Sequence, residues 1–123
     1  MRAFREAVEA GDVDRVLALM TEDVEFRSPV VHRPYAGREQ VGAILRAVTR
    51  VFVDFRYQRE IGAEDSADHA LVFRARVGDR EVEGCDFVHT DGDGRIDELV
   101  VMVRPMSGML ALAEAMKAEL ERS

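Results

Sequence analysis

Apolar residues recur every three or four positions in four stretches of the chain, the spacing that predicts amphipathic helices. The first two stretches, residues 4–8 and 13–20, are separated by Gly11-Asp12. Glycine can end one helix there and aspartate can cap the next, so a helical hairpin is expected. The strongest helical pattern covers residues 38–52, and the last one follows Pro105, with Ser107 as its expected cap.

Apolar and polar residues alternate in the other regions, which predicts strands. A short first strand contains Val24, Phe26 and Ser28 and is ended by Pro29, because proline cannot donate to a sheet. Residues 30–37 are expected to form an ordered loop. From residue 53 the period is two, which predicts four further strands. The apolar side of the first of them is expected to contain Val53, Phe55, Tyr57 and Ile61, with Arg59 out of phase on the same side.

The register of one hairpin can be predicted from its turn. Gly78-Asp79 suits a two-residue turn, because glycine tolerates positive φ. In that register Arg76 faces Glu81 and Arg74 faces Glu83, so opposite charges pair across the strands. Charge pairing therefore supports the same register as the apolar alternation.

The order of the elements indicates the fold class. Helices precede a run of antiparallel strands, which predicts an α+β domain with one curved sheet wrapped around helices. No repeat or linker divides the sequence, so we expect a single domain over residues 1–123.

Composition and charge exclude several function classes. The 17 basic and 24 acidic residues give a net charge of −7, which disfavours nucleic acids and anionic membranes as partners. One cysteine, Cys85, excludes an internal disulfide and a cysteine zinc site. No apolar run has the length of a signal peptide or a membrane span, so a cytoplasmic protein is expected.

Asp86 is the most informative candidate residue. The hairpin register places it on an apolar sheet face, with Phe73, Ala75, Val77, Val82 and Val88. Lost hydration is expected to raise the pKa of this carboxyl, so that it stays protonated near neutral pH and donates to a ligand oxygen. The alternative is a structural acid that is satisfied by a tyrosine, an arginine or a backbone donor.

The remaining candidates for chemistry are weaker. His32 lies in the loop after the first strand, and the histidines show no metal-binding spacing. Residues 91–96 resemble a calcium loop, but with Gly94 at the sixth position the first and twelfth positions are His89 and Val100, which lack the required carboxylates. We expect no metal and no cofactor.

Several short strings, taken in order, resemble the nuclear transport factor 2-like superfamily, in its SnoaL-like and ketosteroid isomerase-like branch. They are Ala10-Gly11-Asp12, the junction at residues 19–26, Ser28-Pro29, the helix start at 37–41, and Asp86 followed by the turn at 93–96. The resemblance covers essentially the whole chain. It implies a cone-shaped fold in which a curved, mostly antiparallel sheet wraps around the N-terminal helices, here with an extra C-terminal helix. It also implies a pocket against the concave face and a homodimer through the outer sheet face.

The resemblance allows a residue-by-residue test of function. Where ketosteroid isomerases have a general-base aspartate and an oxyanion-holding tyrosine, this chain has Ser28 and Phe4, and only the second oxyanion donor, Asp86, is retained. Steroid isomerisation by that mechanism is therefore not expected. The Asp-Arg-Asp group of limonene epoxide hydrolases is not recognisable either. SnoaL-type polyketide cyclases are more similar, since they rely on one pocket aspartate, and His32 and Tyr57 are candidate helpers for Asp86.

Three hypotheses follow. The first is a protein that binds a small apolar molecule, anchored by Asp86 in a pocket lined by Phe26, Ser28, Phe52, Phe55, Tyr57, Phe73, Val88, Leu99 and Val101. The second is an acid/base enzyme that acts beside a carbonyl, an isomerase or an aldol cyclase, with Asp86 as proton carrier. The third is an interaction module that uses the outer sheet face around Cys85 and Phe87.

Overall fold

A computed structural model of the chain describes residues 1–122. The helices within these residues are α1 (Arg2–Glu9), α2 (Val13–Ala18), α3 (Arg38–Val51) and α4 (Met106–Arg122). The strands are β1 (Met20–Arg27), β2 (Tyr35–Ala36), β3 (Val53–Ile61), β4 (Asp68–Val77), β5 (Arg80–Thr90) and β6 (Ile96–Arg104).

The strands form one curved sheet in the order β2-β1-β6-β5-β4-β3. All neighbours are antiparallel except β1 and β6, which run parallel. The helices pack on the concave face, and α4 lies against α3 and strands β4 to β6. The predicted α+β class and the mostly antiparallel sheet are therefore confirmed.

The predicted hairpin register is confirmed. Arg76 pairs with Glu81 and Arg74 with Glu83 across β4 and β5, and the Arg74 and Glu83 side chains form an ion pair of 3.2 Å. Because Asp86 follows Glu83 by three residues on β5, this register directs Asp86 to the concave face. There it pairs with Leu71, which is fully buried.

The turn between α1 and α2 also follows the prediction. Gly11 has a φ of +69°, a conformation that L side chains rarely adopt, and the chain changes direction there. Asp12 then caps α2, because its Oδ1 accepts the backbone N–H of Arg15 at 3.2 Å.

The first strand was predicted too short, and the loop after it contains a strand. Met20, predicted to be helical, begins β1, and residues 21–23 continue it, because Met20 pairs with Ile96 of β6 and is completely buried. The strand ends at Arg27, so Ser28 lies just beyond it. Within the predicted loop, Tyr35 and Ala36 pair with Phe26 and Glu25.

The alternation in β3 is interrupted, which corrects two core assignments. Val53 and Ile61 were expected on the apolar side, but they are 41% and 53% exposed. The register with β4 shifts between Val53 and Arg56 and again between Tyr57 and Arg59. The second shift explains why Arg59 is out of phase with the apolar residues, and it leaves Tyr57 as the buried member of the strand.

The C-terminal helix starts earlier than predicted. It begins at Met106, so Ser107 lies inside its first turn and is not the cap; the carbonyl of Pro105 accepts the N–H of Met109 at 2.9 Å. Gly108 allows α4 to approach the sheet, since a Cβ there would lie 2.4 Å from Cγ1 of Val82. At the other helix, α3 ends at Val51, one residue before the predicted Phe52.

No helix within residues 1–122 combines the length and the apolar content that crossing a lipid bilayer requires.

Candidate functional site

A cavity of about 100 Å³ lies between the helices and the concave face of the sheet. Its wall is mostly apolar and is built from all four helices and from strands β1, β3, β4, β5 and β6. Among residues 1–122, the buried polar residues are His69 and Asp86, and of these two only Asp86 lines the cavity. The cavity thus combines an apolar wall with one buried carboxyl group.

Asp86 is held by a short hydrogen bond. The Tyr57 hydroxyl donates to Oδ2 of Asp86 at 2.5 Å, and within residues 1–122 no donor engages the other oxygen, Oδ1. Burial raises the pKa of Asp86 to about 7, and the hydrogen bond from Tyr57 acts in the opposite direction. The carboxyl therefore changes protonation near neutral pH, donating from a free oxygen when it is neutral and accepting when it is ionised.

Tyr57 holds Asp86 by this hydrogen bond but does not itself line the cavity. Its ring is perpendicular to that of Phe55 at a centroid distance of 5.0 Å, and its N–H donates to the carboxylate of Glu9 at 2.9 Å. Burial and the neighbouring Asp86 carboxylate raise the pKa of the Tyr57 hydroxyl, so it remains a donor. This arrangement combines the two interpretations of Asp86, because the buried acid in the cavity wall has a tyrosine partner.

Three phenylalanines form one side of the cavity. Phe55 stacks on Phe73 at a centroid distance of 4.6 Å, and Phe52 contacts both rings, at 5.8 Å and 5.7 Å. Gly84 lies opposite Phe73 in the β4–β5 pair, and a Cβ there would come within 2.2 Å of the Phe73 ring. The position of this aromatic wall therefore depends on residue 84 being glycine, which has no side chain.

Ser28 lines the cavity at the turn after β1. Its Oγ accepts the N–H groups of Val30 at 2.9 Å and Val31 at 3.4 Å, which stabilises the turn. The hydroxyl hydrogen remains available for donation. Ser28 is thus a candidate donor toward a ligand.

The structure brings most of the predicted site residues together. Those in the cavity wall are Phe26, Ser28, Phe52, Phe55, Phe73, Asp86, Leu99 and Val101. Three others are elsewhere: Tyr57 lies behind Asp86, Val88 packs in the core at 1% exposure, and His32 is exposed in the loop before β2.

Sequence reasoning missed the helical side of the cavity. Further lining residues come from α1, α2, α3 and α4, among them Phe4, Val8, Val16, Ile44, Val48, Leu112 and Met116. Their helical spacing identified them as apolar faces, but spacing alone does not distinguish a face that packs tightly from one that borders a space.

The contact between Tyr57 and Asp86 leads to a first testable prediction. In Tyr57→Phe the ring packing is retained and the hydrogen bond that lowers the pKa of Asp86 is lost, so this pKa should rise further above about 7. Carbon NMR of the Asp86 carboxyl across a pH titration measures it. Tyr35→Phe is the matched control, because Tyr35 packs on Phe26, away from Asp86, and should leave the titration unchanged. A lower pKa in Tyr57→Phe would contradict the assigned role.

Comparisons with known proteins agree with this architecture. The sequence profile of the SnoaL-like domain matches residues 1–99. A steroid delta-isomerase from Pseudomonas aeruginosa is 43% identical, with a TM-score of 0.91 over 97% of this chain and 87% of that one. An uncharacterized protein with a cystatin-like fold from Silicibacter pomeroyi is 35% identical, with a TM-score of 0.92 over 98% of this chain and 84% of that one.

A more distant structure supports the fold alone. An NTF2-like protein from Cytophaga hutchinsonii is 16% identical, with a TM-score of 0.66 over 86% of this chain and 88% of that one. No curated protein matches the chain.

Proposed function

Because this chain belongs to the SnoaL-like domain family, we propose that it binds a small apolar molecule with a carbonyl or hydroxyl oxygen, and that Asp86 is the polar anchor. The observation that carries the proposal is the buried carboxyl in a mostly apolar cavity wall, with one oxygen held by Tyr57 and the other unengaged by residues 1–122. Ligand sites in proteins commonly combine an apolar lining with a few placed polar groups.

The protonation of Asp86 decides which oxygen it recognises. A carbonyl oxygen only accepts hydrogen bonds, so it needs the neutral carboxyl, which is present below the pKa of about 7. A hydroxyl both donates and accepts and therefore suits either state. The affinity for a ketone should consequently fall as the pH rises through 7, whereas an alcohol should be less sensitive.

This pH dependence is the test of the proposed function. Cyclohexanone and cyclohexanol are titrated into the protein at about pH 6 and about pH 8, with Kd taken from NMR shifts of cavity methyl groups. We expect the ketone to bind roughly tenfold more weakly at the higher pH, because the population of neutral Asp86 falls by that order. In Asp86→Asn the dependence should vanish. Equal ketone affinities at both pH values, or no binding, would contradict the proposal.

An enzymatic alternative is favoured by the 43% identity to a protein named as a steroid delta-isomerase. In that case Asp86, when ionised, removes a proton from the α carbon of a β,γ-unsaturated ketone, and the neutral carboxyl returns it to the γ carbon, so that the double bond moves to the α,β position. Ser28 and Phe4 stand where the resemblance implies the base and the oxyanion tyrosine, and Phe4 has no hydroxyl to donate. Asp86 would have to act as the proton carrier without them.

A small β,γ-unsaturated ketone separates the binder from the enzyme. Cyclohex-3-enone is incubated with the protein, and formation of the conjugated isomer is followed by its ultraviolet absorbance. Our proposal predicts no rate above background for the natural chain and a measurable rate for the double variant Phe4→Tyr with Ser28→Asp. Turnover by the natural chain that is lost in Asp86→Asn would instead establish the enzyme.

We also propose that two copies associate through the outer sheet face. On this face Phe87 and Met102 are 42% and 58% exposed, Cys85 pairs with Met102, and charged residues such as Arg74 and Glu83 lie alongside. An exposed apolar centre with a charged rim is typical of a protein interface.

The dimer proposal predicts a strong effect of a charge at its centre. Phe87→Glu should weaken dimerisation by roughly tenfold or more, because a large aromatic side chain would be replaced by a desolvated charge. Light scattering over a range of protein concentrations measures this. Met106→Glu is the control, since Met106 is more exposed, at 78%, but lies on α4, away from the sheet face. A natural chain that is monomeric at all concentrations would contradict the proposal.

A further inference from the structure

A second, larger hollow adjoins the cavity beside α4. It has a volume of about 360 Å³ and lies between the loop after β1, helix α3 and helix α4. We call it the outer groove. Its lining is largely apolar and consists of Ser28, Val30, Val31, Tyr35, Ile44, Ala113, Met116, Leu120 and the charged residues Lys117 and Glu121.

The cavity and the outer groove share four lining residues. Ser28, Val30, Ile44 and Met116 border both spaces, so these residues form the partition between them. Met116 is buried, at 8% exposure, and its unbranched side chain can change rotamer without moving the helix. Among the four residues of the partition, Met116 has the most flexible side chain.

The volumes argue for a joint site. The inner cavity, at about 100 Å³, is well below the ~300–1,000 Å³ that is usual for small-molecule sites. The outer groove brings the total into that range. Val30, Val31 and Leu120 also leave 38%, 42% and 39% of their apolar surfaces in solvent, and a bound apolar chain would cover this surface.

We propose that the cavity and the outer groove form one site for a slender molecule, an unbranched alkyl or acyl chain that carries its ketone or hydroxyl group at one end. The oxygen lies at Asp86, and the chain passes Met116 into the outer groove. This inference rests on the proposed function of Asp86 and adds the shape of the ligand. A narrow partition admits a flexible chain more readily than fused rings. The two charged residues that line the outer groove, Lys117 and Glu121, have opposite signs, so the groove does not favour a charge at the far end of the ligand.

A homologous series of ketones tests the proposal. Alkan-2-ones from butan-2-one to decan-2-one are titrated into the protein below pH 7, and binding is followed through methyl NMR shifts. Short ketones should shift Val101 and Leu112, which line only the inner cavity. Longer ketones should also shift Val31 and Leu120, which line only the outer groove. The affinity should keep rising along the series, by about fourfold per methylene, as each one leaves water.

Variants at the partition and in the groove sharpen this test. Met116→Trp should block the passage, so that affinity stops rising with chain length; because Met116 also lines the inner cavity, this variant is judged by the slope along the series and not by the affinity of butan-2-one. Ala113→Trp fills the outer groove only, so it should also stop the rise in affinity with chain length while butan-2-one binds as before, and it replaces Met116→Trp should that variant fail to fold. Ala118→Trp is the control, since Ala118 is exposed on α4 outside both spaces, and it should leave the whole series unchanged.

The outcomes separate this inference from the proposed function. Short ketones that bind at Asp86 without any gain for longer ones would overturn the joint site and leave the function of Asp86 intact. A rigid bicyclic ketone such as 2-decalone binding more tightly than decan-2-one would overturn the slender ligand. Failure of every ketone to shift the inner-cavity methyl groups would overturn the proposed function, and the joint site with it.

Discussion

Asp86→Asn is expected to remove a large pH dependence from the stability of this protein. The pKa of Asp86 is about 7 in the folded chain, raised by burial from the ordinary value of 3.8 that applies when the chain is unfolded. Below about pH 4 the carboxyl is protonated in both states, so its burial has no ionic penalty. As the pH rises toward 7 the unfolded chain releases the proton and the folded chain retains it, so the free energy of unfolding falls.

The full loss in the free energy of unfolding is present above pH 7 and is on the order of 4 kcal/mol, which follows from a pKa raised from 3.8 to about 7. Asparagine cannot ionise but can still accept the Tyr57 hydroxyl. Relative to the natural chain, Asp86→Asn should therefore gain stability steadily between about pH 4 and pH 7 and keep a constant advantage above that. Urea unfolding of both proteins across this range measures the difference, in which the other titrating groups cancel.

Two further variants control for the change. Asp79→Asn removes one carboxyl from the exposed Gly78-Asp79 turn and corrects for the altered net charge. Asp86→Leu removes the charge and also the acceptor, which leaves the Tyr57 hydroxyl buried without a partner at a cost of about 1–3 kcal/mol. A stability difference between Asp86→Asn and the natural chain that does not vary with pH would show that the pKa of Asp86 is not raised. The proposal that the neutral carboxyl of Asp86 anchors a ketone would then lose its basis.

The position of Asp86 could be predicted because it depends on local chemistry. The Gly78-Asp79 turn determines the hairpin register, and the alternation along β5 then assigns each side chain to a face. The partner of Asp86 could not be predicted in the same way. Tyr57 is on β3, with β4 lying between it and Asp86, and two register shifts along β3 determine which of its side chains point inward. Such shifts arise from packing between strands and have no local signal except an out-of-phase residue such as Arg59.

In the helical half of the site, too, one part could be predicted from the sequence and another part depends on the packing of the whole fold. The apolar stripes of α3 and α4 were evident from spacing, but their angle to the sheet depends on contacts over the whole chain. The approach of Gly108 to Val82 is one such contact, and it brings Leu112 and Met116 over the cavity. A stripe in a sequence therefore predicts burial, whereas the space that a stripe borders is a property of the assembled fold.

The aromatic wall gives the second large expected effect, at Gly84. In Gly84→Ala the new Cβ would lie 2.2 Å from Cζ of Phe73 and 2.8 Å from the carbonyl oxygen of Met102, both too close for any real contact. Gly84 does not have a positive φ, so the backbone tolerates alanine and the penalty is purely steric. We expect a loss of about 3 kcal/mol in the free energy of unfolding, measured by urea denaturation, because a well-packed core absorbs an added methyl group poorly.

A double-mutant cycle identifies the cause of this loss. Phe73→Leu removes the ring atoms that the new methyl group meets, so combining it with Gly84→Ala should be less destabilising than the sum of the single changes by at least about 1 kcal/mol. Rescue should be incomplete, because the Met102 carbonyl belongs to the backbone and cannot move aside. Gly92→Ala is the control: its Cβ would meet nothing within 4 Å, so the change should be neutral or slightly stabilising. Additive losses in the cycle would mean that Gly84 serves the β5–β6 pairing and not the aromatic wall, and Phe73 would then owe its position in the cavity to Phe52 and Phe55 alone.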